Sequence, residues 1–214
     1  MILGAGGRLR AQDLLGGRRK LGVALVGLGS YARGQLGPAL RQTGLCELRG
    51  VVTGDPEKGR RWAQSYGFSP ESVYTYDTMG DIARNPDIDI IYVVTPPGLH
   101  KRDVLVAAAA GKHVICEKPM AVSVQECEDM IAACKAAGVH FSIGYRLHFH
   151  GYHQQVKQIA AKGAWGGPVE MSGGFGYRDS VKTWRATKAL GGGGQLMNVG
   201  IYVIQSALMA QGEE

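Results

Sequence analysis

The sequence predicts an α/β fold in which a doubly wound parallel sheet is followed by a smaller, truncated α+β segment. Short apolar, strand-like runs alternate with helical patterns along the first part of the chain, and this alternation is typical of crossover units in a parallel sheet. After about Gly144 glycines become frequent and the alternation loosens. A domain boundary near Tyr145 is therefore predicted.

Five strands are expected before that boundary, at residues 23–26, 48–53, 88–95, 113–116 and 140–143. The clearest helix covers residues 123–137, where Ser123 and Glu126 have the spacing of a capping box. Four of its residues recur at the spacing of a core-facing helix surface, namely Cys127, Met130, Ile131 and Cys134. The cysteines of this helix are therefore predicted to be core residues.

Three regions follow from this pattern: an N-terminal arm at residues 1–20, a first domain at 21–145, and the start of a second domain at 146–214. The second region is predicted to contain a helix at 152–162, a strand at 169–175 and a helix from about Gln195. Two helices and one strand are too few to build an independent core.

Composition excludes several classes of protein. The 214 residues carry a formal charge of +6, but the basic residues are scattered and only Arg18, Arg19 and Lys20 cluster, so no nucleic-acid surface is predicted. The longest apolar run after the first strand is far shorter than the roughly 20 residues that span a bilayer. The N-terminus lacks the apolar core of a signal peptide, and the four cysteines have no metal or redox spacing. A cytoplasmic protein without a membrane partner is expected.

The stretch VGLGSYA, residues 26–32, follows the first strand and precedes a helical pattern, which is the position of a dinucleotide-binding turn. Gly27 permits the tight turn, Gly29 lets the backbone approach a pyrophosphate, and Ala32 stands where helix meets strand. Ser30 and Tyr31 open the helix, whose free amides would face the phosphates. A Rossmann domain is therefore predicted. The similar GAGG at residues 4–7 follows no strand.

The end of the second strand bears on the choice between NADP and NAD. An NAD-binding strand ends in a carboxylate that binds the ribose hydroxyls. Here Thr53 and Gly54 occupy that place, and Lys58 follows with a positive charge, which favours NADP. Asp55 leaves NAD as the less favoured alternative, unless its role is to cap the helix that begins at Pro56.

Two further strand ends are predicted to face the cofactor. Thr95 and Pro96 would lie along it, whereas His100, at the start of the next helix, is more often structural than catalytic in such a place. In ICEKPM, residues 115–120, Glu117 and Lys118 would lie at the carboxyl end of the strand beside the nicotinamide.

Lys118 would then bind the reacting oxygen, and Glu117 would orient the lysine. The cis form is open to the following proline, as it is to about 5–6% of such bonds. The alternative is a solvated ion pair at a strand end.

The segments VGLGSYA, TPPGLH, GKHVICEKP, SIGYRLHF and GGGGQLMNVGIY together resemble the Gfo/Idh/MocA family. Within it the chain is most similar to the glucose-fructose oxidoreductase branch, from about Leu21 to its last residue. The resemblance implies a nicotinamide-dependent oxidoreductase acting on a sugar or polyol, without a catalytic metal. It also implies a second domain built on an open antiparallel sheet, through which family members commonly associate as homo-oligomers.

The resemblance also implies roles for individual residues. Lys118 matches the family lysine, and Tyr202 matches a tyrosine that gives and accepts a proton, for which Lys118 is the expected cation partner. Asn198 stands where the family usually has aspartate, so it keeps the shape but loses the charge. Arg146, Trp184 and Arg185 match positions near cofactor and sugar, with helix solubility and domain packing as equal alternatives.

The histidines His148, His150 and His153 do not suggest a metal site, because their run contains no carboxylate. The family sheet continues beyond the point where this sequence stops, at Glu214. A truncated product that binds a dinucleotide with little or no turnover is therefore the alternative function.

Overall fold

The computed structural model describes residues 19–163, 166, 170–176 and 183–211. Six strands form one parallel sheet: β1 (Leu21–Val26), β2 (Cys46–Val52), β3 (Val73–Tyr74), β4 (Ile90–Val93), β5 (His113–Glu117) and β6 (Phe141–Gly144). All five expected strands are present. The sixth, β3, has only two residues, too few for a periodic pattern to reveal it. Residues 1–18 of the predicted N-terminal arm lie outside the described part of the chain.

The strand order β3-β2-β1-β4-β5-β6 reverses direction at β1, as in a doubly wound Rossmann sheet. The register aligns Val26 with Val52 on one side and with Val93 on the other. Glu117 is paired in the same way with Gly144. The carboxyl ends of the strands therefore meet along one edge, where ligands of such sheets bind.

The connecting helices are α1 (Gly37–Gln42), α2 (Pro56–Tyr66), α3 (Pro97–Ala109), α4 (Val124–Ala136), α5 (Gly151–Ala161), α6 (Lys188–Gly191) and α7 (Ile201–Gln211). A π-helical turn leads into α1 at Ala32–Leu36, and another leads into α7 at Leu196–Gly200. Short 3₁₀ turns lie at Pro70–Ser72, Met79–Arg84, Arg146–Phe149 and Trp184–Ala186. The predicted helices at 123–137, at 152–162 and from about Gln195 are thus confirmed.

The start of α4 confirms one half of the predicted capping box. The Ser123 hydroxyl accepts a hydrogen bond from the Glu126 amide at 3.2 Å, but the Glu126 carboxylate accepts from Val122, one residue before the expected partner. Met130 and Cys134 are fully buried. Ile131 is 53% exposed, so its assignment to the core face was wrong. The buried stripe of this helix is narrower than the repeat suggested.

Two cores lie on opposite faces of the sheet because side chains alternate along each strand. Ala24 and Val26 of β1 face a cluster that includes α3 and α4, whereas Val23 and Leu25 face a cluster with α2. This double cover fixes the sheet between two helical layers and leaves its carboxyl edge open to a ligand.

The second segment packs against the edge of the Rossmann domain. A Cβ added at Gly98, in the first turn of α3, would lie 2.0 Å from the carbonyl oxygen of Ala189 in α6. Only glycine permits this approach. The predicted strand at 169–175 is not found among residues 170–176, the part of it that the structure describes, because these residues form no ladder.

Candidate active site

A cleft of about 450 Å³ lies between the carboxyl ends of β4 to β6 and the second segment. It collects most of the residues predicted for the chemistry. Its lining includes Tyr31, Thr95, Glu117, Lys118, Arg146, Trp184, Arg185, Asn198 and Tyr202. The two segments therefore form the cleft together.

Lys118 lies at the centre of this cleft, directly after β5. Its Nζ donates to the backbone carbonyl of Asn198 at 2.7 Å and lies 4.7 Å from the centroid of the Tyr202 ring. Burial lowers the pKa of Lys118, the Glu117 carboxylate opposes this, and Arg185 and Arg146 add to the lowering. The Lys118–Pro119 peptide bond is cis. The cleft thus holds a partly desolvated ammonium that faces the second segment.

Glu117 does not orient the ammonium of Lys118 as expected. Its carboxylate is 9% exposed and accepts hydrogen bonds from the Tyr92 hydroxyl at 2.7 Å and from the Lys118 backbone amide at 3.3 Å. Burial raises the pKa of Glu117, and these hydrogen bonds offset part of the rise. The contacts of both side chains also exclude the solvated ion pair. Glu117 instead fixes the backbone at the start of the lysine.

Tyr202 packs among aromatic rings near Lys118, with the Tyr145 ring centroid 5.6 Å away. Burial raises the pKa of Tyr202, while the charge of Arg146 and a hydrogen bond from it lower the pKa. Arg146 is therefore a second cation that favours the phenolate, beside Lys118, whose Nζ lies 4.7 Å from the centroid of the same ring. Burial outweighs that effect, so the hydroxyl stays protonated at neutral pH.

The glycine-rich turn has the shape that a pyrophosphate needs. Gly27 has φ +96°, and a Cβ there would lie 3.2 Å from the Val94 carbonyl. A Cβ at Gly29 would meet no atom within 4 Å, so the space beside it is open. Ala32 is fully buried where helix meets sheet, and Ser30 and Tyr31 begin that helix. The turn therefore fits a dinucleotide phosphate.

The end of β2 lies beyond the cleft lining. The Thr53 amide bonds to the Tyr74 carbonyl at 2.9 Å, and the Thr53 hydroxyl accepts from the Asp55 amide at 3.2 Å. The Asp55 carboxylate caps α2 by accepting from the Lys58 amide at 3.0 Å. The capping alternative for Asp55 is thus the one in the structure. Gly54 lies next to Thr53 and is exposed.

His100 lies beneath the cleft and does not line it. The ring is 1% exposed and contacts carbonyl oxygens of Thr95, Pro119 and Met120. Burial lowers its pKa. Thr95 also donates its hydroxyl to the buried Asp103 carboxylate at 2.7 Å, while Pro96 directly precedes α3. His100 is therefore structural in its contacts.

Sequence reasoning missed two tyrosines and one glutamine at the site. Tyr92 donates to Glu117, and the Tyr145 hydroxyl donates to the Ile201 carbonyl at 2.7 Å. Gln35 lines the cleft. Tyr92 could have been found from the sequence, because it is the residue with a polar hydroxyl in the otherwise apolar strand β4. Gln35 gave none, because an exposed helical glutamine is ordinary.

The described residues also bear on two other classes of function, membrane proteins and metalloproteins. None of the helices described there is both long enough and apolar enough to span a bilayer. Among those same residues no three histidine, cysteine, aspartate or glutamate side chains form a group that could hold a metal ion. The His150 and His153 rings do approach each other, with Nδ1 atoms 3.3 Å apart.

Individual relatives share the fold and part of the sequence. The chain is 42% identical to an aldose-aldose oxidoreductase from Caulobacter crescentus, with a TM-score of 0.84 over 92% of this chain and 59% of that one. It is 30% identical to a D-xylose 1-dehydrogenase [NADP(+)] from Haloarcula marismortui, covering 86% of this chain and 52% of the relative. A 1,5-anhydro-D-fructose reductase from Ensifer adhaerens is 28% identical, with 83% and 53% covered. The chain thus spans about half the length of the curated relatives it matches.

Two family models match successive parts of the chain. The model described as an oxidoreductase family with an NAD-binding Rossmann fold matches residues 21–145. The GFO/IDH/MocA C-terminal domain model matches residues 153–214. Together with the doubly wound sheet and the lysine at the end of β5, these matches show that the chain belongs to the Gfo/Idh/MocA family of oxidoreductases.

Proposed function

We propose that the chain carries the cofactor-binding and catalytic part of an NADP-dependent oxidoreductase acting on a sugar or polyol, similar to glucose-fructose oxidoreductase. The observation that carries the proposal is the position of Lys118 Nζ, in the cleft beyond β5 and 4.7 Å from the Tyr202 ring centroid. We also propose that residues 21–145 form the cofactor domain and residues 146–214 begin the substrate domain.

The side chains of the cleft suit the transfer of a hydride and a proton to a carbonyl. When bound, the nicotinamide supplies the hydride to the carbonyl carbon. Lys118 donates a hydrogen bond to the carbonyl oxygen and stabilises the negative charge that develops on it. Tyr202 then gives its hydroxyl proton to that oxygen, and Arg146 stabilises the phenolate that remains. In the oxidation direction the phenolate accepts the proton of the sugar hydroxyl.

The preference for NADP rests on the end of β2. Thr53 places no carboxylate there, and the nearby Asp55 carboxylate is engaged in capping α2. Lys58 is the cation that we assign to a 2′-phosphate. The family model is described as NAD-binding, whereas one relative's name specifies NADP(+), so the preference is our inference from the residues.

A titration of the purified chain with NADPH and NADH, followed by nicotinamide fluorescence, tests this preference. We expect tighter binding of NADPH, and Lys58→Ala to weaken NADPH binding about tenfold with no effect on NADH. The helix should remain, since Asp55 caps it through the backbone amide of residue 58. Arg61→Ala is the matched control on the same helix. Equal affinity of the wild-type chain for both cofactors would refute the preference.

Asn198→Asp is expected to raise kcat a few-fold. The change introduces a negative charge in the cleft that residue 198 lines together with Lys118 and Tyr202, and the backbone carbonyl of Asn198 already accepts a hydrogen bond from the ammonium. An opposite charge near a lysine favours its protonated form, which is the form that stabilises a developing oxyanion. Steady-state kinetics over a panel of aldoses measures the effect. Unchanged or lower turnover with every aldose would contradict the idea.

A dinucleotide-binding module without turnover is the second candidate function, and the partly exposed apolar face of α7 is the observation that favours it. Ile204 is 52% exposed, and Ile201 and Leu208 are half-buried on the same helix. This face would suit association between copies of the chain, and a monomer at all concentrations in sedimentation would count against that. A binding module would bind NADPH, and substitutions at Lys118 and Tyr202 would not alter that binding.

We further propose a reducing compartment such as the cytoplasm. The cysteines Cys46, Cys116, Cys127 and Cys134 are all free thiols. Burial raises the pKa of each, which keeps them in the unreactive thiol form.

A further inference from the structure

His100 connects two strand ends at the floor of the cleft. It lies in the first turns of α3, yet its ring points away from solvent and toward the ends of β4 and β5. Nε2 lies 2.7 Å from the Thr95 carbonyl oxygen, at the end of β4. Nδ1 lies 3.0 Å from the Pro119 carbonyl oxygen and 3.1 Å from that of Met120. One buried ring thus bridges the two strand ends.

The Nδ1 contacts fall on the two residues that follow Lys118. On the preceding side, the Glu117 carboxylate accepts a hydrogen bond from the Lys118 amide at 3.3 Å. The backbone of the lysine is therefore held by one side chain before it and by His100 after it. The position of the Lys118 backbone sets where the side chain starts, so a displaced backbone displaces the region that the ammonium can reach.

The position of that base decides what the ammonium reaches. Nζ touches the carbonyl of Asn198, which belongs to the second segment, and faces the Tyr202 ring. A small displacement of the turn would lose the 2.7 Å contact to Asn198 and move the ammonium toward solvent. Placement errors of about 1 Å cost enzymes on the order of 100-fold in rate.

We propose that His100 is a positioning residue for Lys118: its ring, set between the Thr95 carbonyl and the carbonyls of Pro119 and Met120, holds the 119–120 turn so that Nζ reaches across the cleft. The kinetic consequence rests on the proposed oxidoreductase function, whereas the structural consequence does not. His100 does not itself line the cleft and does not contact the lysine side chain, so it acts on Lys118 through the turn.

Two amide substitutions test the contacts of the two ring nitrogens one at a time. An asparagine amide nitrogen occupies about the place of Nδ1, so His100→Asn keeps a donor for the turn carbonyls. A glutamine amide nitrogen occupies about the place of Nε2, so His100→Gln keeps a donor for Thr95 only. Asp103→Asn is the matched control, because Asp103 lies on the same helix and binds the Thr95 hydroxyl but does not contact the turn.

The primary measurement is the pKa of Lys118 by NMR of the ¹³C-methylated chain, with the signal assigned from a Lys118→Met sample. Burial lowers this pKa in the wild-type chain. We expect it to rise toward its usual range in His100→Gln as the ammonium moves into solvent, and to stay low in His100→Asn and Asp103→Asn. Circular dichroism verifies the fold of each variant.

The second measurement is kcat with the best aldose. We expect a fall of roughly 10- to 100-fold in His100→Gln, a small change in His100→Asn, and an unchanged dissociation constant for NADPH in both. The proposal is overturned if the Lys118 pKa moves equally in both variants, moves in neither, or moves in Asp103→Asn. If the wild-type chain turns over no sugar, the proposed function fails while the NMR comparison still decides the role of His100.

Discussion

Replacing Lys118 with methionine is expected to lower kcat by roughly 10²- to 10⁴-fold while NADPH binding stays nearly unchanged. The lysine provides the ammonium within the cleft that faces Tyr202, and the loss of a preorganised donor is felt in the transition state more than in the ground state. Methionine keeps the length of the side chain. The fold should tolerate it, because burial already disfavours the charged form at this position.

The pH dependence of carbonyl reduction gives a second test of the role of the Lys118 ammonium. Because the pKa of Lys118 lies below its usual value of 10.5, the ammonium is lost as pH rises through that lowered pKa. Carbonyl reduction by the wild-type chain should therefore fall on the alkaline side, and that limb should vanish in Lys118→Met. Lys101→Met is the control, since Lys101 pairs with Asp129 on the surface at 2.6 Å. An active Lys118→Met chain would reject the assignment.

Tyr202→Phe is expected to lower kcat by roughly 10²- to 10³-fold because the proton donor is removed while the ring stays in place. The pKa of Tyr202 is raised by burial, so the wild-type hydroxyl carries its proton throughout the neutral range. The aromatic contact with Tyr145 does not need the hydroxyl, so stability should change little. Single-turnover reduction at saturating NADPH measures the loss directly.

Tyr152→Phe serves as the matched control for this change, since Tyr152 is an exposed tyrosine on α5. If Tyr202→Phe keeps full turnover, another group donates the proton, and the role that the family resemblance implies for Tyr202 is wrong. If both Tyr202→Phe and Lys118→Met leave NADPH binding intact and the wild-type chain shows no turnover, the binding-module alternative is supported.

The fold was largely predictable because it depends on local patterns. Apolar runs of strand length and the glycine-rich turn after β1 suffice to predict a parallel sheet, and the six observed strands include all five expected ones. The errors have physical causes. Ile131 follows helical spacing but lies outside the narrow buried stripe of α4. β3 has only two residues, too few to show the alternation of apolar and polar residues by which a strand is predicted.

The sequence predicted most of the residues that line the cleft but not the contacts that their side chains make. The chain order places Lys118 at a strand end beside the switch point, and the resemblance implied the role of Tyr202. Neither source could show that the charge of Arg146 lowers the pKa of Tyr202. Likewise Glu117 was expected to hold the ammonium but holds the backbone amide instead. Such partners depend on side-chain directions set by residues far apart in the chain.

The sequence by itself determined the doubly wound sheet, the dinucleotide turn from Gly27 to Ala32, and the placement of Lys118 at the carboxyl edge. Periodicity and glycine stereochemistry act over a few residues and can be read locally. Only the tertiary structure decided that His100 supports the turn after Lys118 and that Asn198 meets its ammonium. Those contacts join residues 19 and 80 positions apart; the first arises from packing within the Rossmann domain and the second from the packing of the two segments.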